Sequence, residues 1–153
     1  MKPLCELEQF YLNKLHVDWL NPDPDMKNES VSFGVDYDYS CNTNDPYKIR
    51  MVMRLVMSPN SEDDASACPY EIFSEIEGYF KFSDDIEAEK MPFFSRVNSL
   101  TILYGILRGE IANITGSFKG QKYILPSIMM QDVVNDTEAR KKAEEEEFAG
   151  DAE

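Results

Sequence analysis

The feature that most constrains this chain is a side-chain alternation of period two, repeated in three long stretches. From Val31 to Tyr39 the odd positions read Val, Phe, Val, Tyr, Tyr and the even ones Ser, Gly, Asp, Asp. From Tyr47 to Met57 the odd positions read Tyr, Ile, Met, Met, Leu, Met, with Lys48, Arg50, Val52, Arg54 and Val56 between them. From Tyr70 to Phe82 the even positions are mostly apolar, and Glu71, Glu75, Glu77 and Lys81 lie opposite. Successive side chains of a strand point to opposite faces, so each stretch predicts a strand with one buried and one wet face. Leu15, Val17 and Trp19 give a shorter fourth case, and Phe10-Tyr11-Leu12 breaks the alternation in a way that admits a bulge.

Turn formers punctuate the strands. Asn42-Thr43-Asn44-Asp45-Pro46 separates the second strand from the third, and Ser58 to Pro69 separates the third from the fourth. Strands at 30–40, 47–57 and 70–82 therefore form an antiparallel meander, with the first strand completing a four-stranded sheet. Charge supports this order. Asp36 and Asp38 would face Lys48, Arg50 and Arg54, and these would face Glu71, Glu75 and Glu77. Opposite charges side by side across a sheet contribute roughly 0.2–1 kcal/mol each.

A helix then covers the apolar face. Asn98 and Ser99 are candidate N-caps and Gly116 a C′ stop. Between them Leu100, Leu103, Tyr104, Leu107, Ile111 and Ile114 fall on one stripe, with Ile102, Gly105, Ile106 and Gly109 on an adjoining flank. Each interior glycine costs about 1 kcal/mol relative to alanine. Their spacing admits either the close approach of a second helix, as in an oligomer, or a packing reason within the chain. Beyond Gly116, Pro126 forbids a central strand but allows an extended crossing segment. From Asp136 the sequence turns sharply polar. Arg140, Lys141 and Lys142 precede Glu144 to Glu147, an order that opposes the helix dipole and sets Lys before Glu. A frayed helix or disorder is expected there, so the chain divides into a domain over 1–134 and a charged tail over 135–153.

Composition excludes several function classes. A net charge of -14 and a pI near 4.4 oppose nucleic-acid binding and docking on anionic lipid. No apolar run is long enough to span a bilayer, and the N-terminus shows no signal-peptide pattern. Cys5, Cys41 and Cys68 are scattered and odd in number, which argues against a disulfide framework or zinc site and for a reducing cytoplasm. The single histidine, His16, is expected on the wet side of the first strand. No phosphate-loop, dinucleotide, nucleophile-elbow or zinc-protease motif occurs. The reading is a non-enzyme without cofactor or metal.

What the chain does carry is apolar surface capable of exposure. Phe80, Phe82, Phe93 and Phe94 cluster around the end of the last strand, and Tyr123, Ile124, Leu125, Ile128 and Met129 form a second set. Such stripes are usually core; the alternative is a groove for apolar peptide, with the two sets as its walls.

The order of these elements resembles the SecB export-chaperone family. Asn98-Ser99-Leu100-Thr101-Ile102-Leu103-Tyr104-Gly105-Ile106-Leu107-Arg108 resembles the family's P-N-I-L-F-P-Y-A-R stretch. Tyr123-Ile124-Leu125-Pro126-Ser127-Ile128-Met129 resembles its L-x-L-A-P-V-N-F crossover, and Phe10 to Val17 resembles its first strand. The resemblance covers residues 5–134 and implies an α+β fold: a four-stranded antiparallel sheet backed by a long helix, an extended crossover and a short or frayed C-terminal helix. It further implies an ATP-independent holding chaperone, assembled as a homotetramer (a dimer of dimers) in which the long helix takes part. Its partners would be unfolded polypeptide clients and the SecA motor, with Asp18 and Glu75 matching two of the family's acids on the sheet and Lys14 standing at a third. The family's motor-binding tail is not recognisable, which favours equally the SecB-like relatives that protect an antitoxin. The alternative reading is a small oligomeric scaffold domain that has kept the fold without chaperone activity.

Overall fold

The computed structural model describes residues 1–20, 31–60 and 68–152. Strands β1 (Cys5–Trp19), β2 (Val31–Cys41), β3 (Lys48–Pro59) and β4 (Tyr70–Phe82) form one antiparallel sheet in the order β1-β4-β3-β2. The meander read from the alternation is therefore the meander observed. The β2–β3 turn is closed by side chains of its own turn formers: Asn42 Oδ1 accepts from the Asn44 amide (2.8 Å) and Asp45 Oδ1 from the Tyr47 amide (3.0 Å). Of the β3–β4 turn, Asp63 and Asp64 lie outside the described residues.

β1 begins at Cys5, well before the Leu15-Val17-Trp19 alternation. Two register shifts, between Leu7 and Gln9 and between Leu12 and Lys14, bracket Phe10-Tyr11-Leu12. The expected break in alternation is thus a pair of irregularities that return inward-facing residues to the inner face.

That inner face is the core. Met51, Met53, Leu55, Met57, Ile72 and Ile76 are completely buried. Over them lies α1 (Met91–Thr115), whose Leu100, Leu103, Leu107 and Ile111 are equally buried. Each such side chain contributes about 1.5–3 kcal/mol relative to exposure. Gly78 sets how deeply the helix sits, since a Cβ there would lie 2.8 Å from Leu103 Cδ2 and 2.7 Å from the Phe80 ring.

α1 starts at Met91, seven residues before Asn98, which corrects the expected cap. Asn98 and Ser99 do not cap; their side chains donate back to the carbonyls of Phe94 (2.8 Å) and Ser95 (2.6 Å) within the helix. The start is set instead by Pro92 in the first turn, where a missing amide hydrogen is no loss. Gly116 does end the helix, but in right-handed conformation, its amide donating to Ala112 O (3.1 Å).

The crossover over 117–129 is pinned at three points. Thr115 Oγ1 accepts from the Tyr123 amide (2.9 Å), Tyr70 OH donates to Gln121 O (2.8 Å), and Tyr104 OH donates to Pro126 O. Burial pushes the Tyr104 phenol up to about 12, so it remains a donor at any physiological pH. Met130–Asp151 then forms α2, a continuous helix where fraying or disorder was expected. It runs across the expected domain boundary at residue 134. Only Met130, Val134 and Thr137 are buried; every residue described from Glu138 onward is exposed. No helix among the described residues is long and apolar enough to cross a membrane.

Candidate functional site: an apolar groove at the free edge of the sheet

β2 is the terminal strand of the sheet, so one row of its peptide groups faces no neighbouring strand among the described residues. Its eleven residues pair with β3 without a register shift. The other edge, β1, is interrupted twice. Beside the unbroken edge runs a groove of about 720 Å³. One wall is Phe33 and Val35, on the inner face of β2; the other is Ile128, Met129 and Val133, at the junction of the crossover and α2. Met129 is 63% exposed, and the remaining four are half-buried. Asp132, Asp136 and Arg140 line the rim. Thr137 also lines it, its hydroxyl turned back to Val133 O (2.8 Å). The arrangement offers an apolar floor and, alongside it, backbone donors and acceptors at strand spacing. An extended polypeptide can satisfy both at once, pairing with the edge while alternate side chains enter the groove.

The residues that the sequence reading set as groove walls are placed differently by the structure. Phe80 (1% exposed), Phe82 (2%) and Leu125 (0%) are core. Phe94 packs edge-on against Phe82, with ring centroids 6.0 Å apart, while Tyr123 packs against Tyr70. Phe82 and Tyr70 are the two ends of β4, roughly 40 Å apart at strand rise. The two expected walls therefore do not face each other. Phe93 is 41% exposed on the first turn of α1, and Ile124 is 57% exposed on the crossover, but neither lines the groove. Of the nine residues singled out, Ile128 and Met129 line it. Phe33, Val35 and Val133 were missed. The alternation of Phe33 and Val35 reads as core, and only the position of β2 at the sheet edge leaves them half-covered, whereas Val133 lies in the first turn of α2.

The flank of α1 read as a contact surface is open in the single chain. Gly105 and Gly109 are exposed, and a Cβ on either would meet nothing within 4 Å. Ile102 and Ile106 beside them are half-buried. On the inner side of β1, Phe10 and Leu12 are also uncovered, at 46% and 37% exposure.

The outer face of the sheet is charged as expected. Arg54 reaches Asp36, Asp38 and Glu75, and Arg50 reaches Glu77. The Arg50 guanidinium, the Asn13 amide (3.0 Å) and the Tyr79 hydroxyl (2.8 Å) together hold the Glu77 carboxyl down at about 2. Asp18 and Glu75 share this face but differ in state. Asp18 is exposed and stands opposite Glu71. Glu75 is only 17% exposed, accepting from Arg54 (3.1 Å) and Asn13 (3.3 Å), with Lys14 opposite it. His16 is exposed, 3.9 Å from Glu71. Among the described residues no group of His, Cys, Asp or Glu is arranged to hold a metal.

No family model matches the chain. An uncharacterised protein of Methanocaldococcus jannaschii is 23% identical over 142 residues, covering 92% of this chain and 90% of that protein. A SecB-like chaperone of Mycobacterium tuberculosis, solved in complex with a ChAD peptide from an antitoxin, superposes with a TM-score of 0.55. That match covers 81% of this chain and 87% of the chaperone at 9% identity. A four-stranded antiparallel sheet under a long helix, with an extended crossover and a second helix, is on this evidence a SecB-like fold.

Proposed function

We propose that the protein is an ATP-independent holding chaperone that binds an extended, apolar stretch of polypeptide in the groove between β2 and α2. The observation that carries this reading is the apolar groove lying along an unbroken strand edge that is unpaired among the described residues. Edges are normally blunted by bulges, prolines or cover, as β1 is by its two irregularities; β2 has no bulge and no proline. Apolar burial at roughly 25 cal/mol per Å² and main-chain pairing both tolerate many sequences, which suits a holdase. The chaperone of the same fold carries an antitoxin peptide, and this supports a protein client, including a single dedicated one. Handover to SecA is the less favoured extension. Of the two acids that would contact it, Glu75 is already committed to Arg54 and Asn13, and only Asp18 has no ion pair among the described residues. Assembly into a tetramer through the Ile102, Gly105, Ile106 and Gly109 flank belongs to the same reading, since that flank is open and glycine permits close helix approach.

The test is capture of an aggregating unfolded protein, followed by light scattering. Ile128→Ser with Met129→Ser is expected to weaken capture at least tenfold, equivalent to about 1.4 kcal/mol. Phe93→Ser, outside the groove, leaves capture unchanged. Circular dichroism should be the same for all three proteins. Capture that survives the double substitution places the client elsewhere. No capture even by the native protein returns the fold to the scaffold reading.

A further inference from the structure

Gly34 sits where neither the backbone nor the core asks for a glycine. It lies within β2, which pairs with β3 without a register shift, so it marks no bulge. Its backbone is not left-handed, and a Cβ there would meet nothing within 4 Å. A glycine inside a strand gives up packing and order; where no bulge explains it, it marks the close approach of a ligand or of another backbone. Its surroundings on the outer face are apolar. Gly34 stands directly opposite Val56, and Val56 opposite Phe73. These two are 41% and 38% exposed, on a face otherwise given to ion pairs. The row forms a shelf that opens at the outer edge of β2. The Asp36, Arg54 and Glu75 ion pairs bound it on one side, and Ser32 and Ser58 on the other.

The hydrogen-bond ladder fixes how this shelf meets the groove. The Asn42 amide donates to Lys48 O (2.8 Å), and bonded pairs of an antiparallel ladder recur at every second residue. Even-numbered residues of β2 therefore bond to β3. The peptide groups left unpaired among the described residues belong to the odd-numbered ones, Phe33 and Val35 among them. A polypeptide paired with this edge sets two alternate side chains beside Phe33 and Val35, in the groove, and sends the one between them to the outer face beside Gly34. We propose that Gly34, Val56 and Phe73 form a second subsite, which takes a large apolar side chain of the client on the outer face. An aromatic side chain beside a strand glycine leans across it, and here it comes down on Val56. The segment recognised is then three consecutive apolar residues with a large one in the middle, held on both faces of the sheet. The subsite presupposes the holding reading and adds specificity to it. A second copy of β2 is a poorer occupant, because pairing over its whole length sets Asp36 against Asp36.

The experiment measures binding of two fluorescein-labelled peptides by anisotropy. One carries Ile-Phe-Ile and the other Ile-Ser-Ile at the centre of the same threonine–lysine frame. The native protein should bind the first roughly tenfold more tightly, as suits a partly buried aromatic side chain, while the second reports the groove alone. Gly34→Thr fills the shelf with a residue that suits a strand, so its melting temperature should not fall. It should bind the two peptides within about twofold of each other, with the affinity for Ile-Ser-Ile unchanged. Val56→Thr, which removes apolar surface without adding bulk, should narrow the preference in the same way. A native protein that binds both peptides alike overturns the subsite and leaves the groove standing; binding of neither overturns both. A preference that survives in Gly34→Thr also overturns the subsite. So does a change in sedimentation on that substitution, which would assign the shelf to a second copy of the chain.

Discussion

On β3, Met51, Met53, Leu55 and Met57 are wholly buried under α1, while Arg50 and Arg54, one residue away from them, stand in ion pairs with Glu77, Glu75, Asp38 and Asp36 on the other face. On that outer face Val56 and Phe73, paired across strands, stay 41% and 38% exposed. The two faces belong to the same strands and the same hydrogen-bond ladder, so propensity cannot separate them. They differ in what covers them. Apolar burial acts inside and gives most of the stability without choosing a neighbour. Charge acts outside in high dielectric, contributes little per pair, and favours β3 lying between two acidic strands.

The comparison breaks most visibly at Leu55. Leu55→Ala should cost about 2–5 kcal/mol, through lost transfer energy and a residual cavity, measured by urea denaturation. A loss under 1 kcal/mol would show that the inner face is loosely packed. Gly78→Ala is next, at about 1–3 kcal/mol, because the new Cβ must displace Leu103 and Phe80 beneath the helix. The matched control is Phe73→Ala on the outer face of the same strand, expected to cost about 0.5 kcal/mol or less. Comparable losses at the two positions would erase the distinction between the faces.

A charge effect sharpens the outer face. The Arg50 guanidinium, then the Asn13 and Tyr79 hydrogen bonds, draw Glu77 from an ordinary carboxylate value of 4.5 to about 2. A carboxyl held low in the fold adds stability that is present above its unfolded value and lost as pH falls through the folded one. Arg50 is 45% exposed, so screening reduces the gain to about 1 kcal/mol. Glu77→Gln should therefore be less stable than the native protein by about that amount at neutral pH. The gap should close as the pH is lowered from the ordinary carboxylate value toward about 2. A gap that persists unchanged in acid would mean that Glu77 acts through packing rather than charge.

Much of the fold was legible because its signals are local. The alternations at 31–39, 47–57 and 70–82 match β2, β3 and β4 to within two residues at each end. The Leu100, Leu103, Tyr104, Leu107, Ile111 stripe is the buried side of α1, and Gly116 ends it. Less of the site was legible. Phe80 and Phe82 read as surplus aromatics, yet they fill the space between sheet and helix that Gly78 shapes. The first turn of α1 was missed because Asn98 and Ser99 have the chemistry of a cap, while the helix opens seven residues earlier at Pro92 without a side-chain cap.

The sequence by itself determined which residues of each strand share a face, which strands are neighbours by charge, and where the long helix runs. These follow from a side-chain period and from pair chemistry that act over a few residues. Only the tertiary structure decided which apolar side chains are covered. Phe33 and Val35 carry the same pattern as Met51 and Met53 but lie on the terminal strand, where cover is partial, so they line a groove while the methionines form the core. Burial depends on where α1 and α2 cross the sheet, and no local period encodes that crossing.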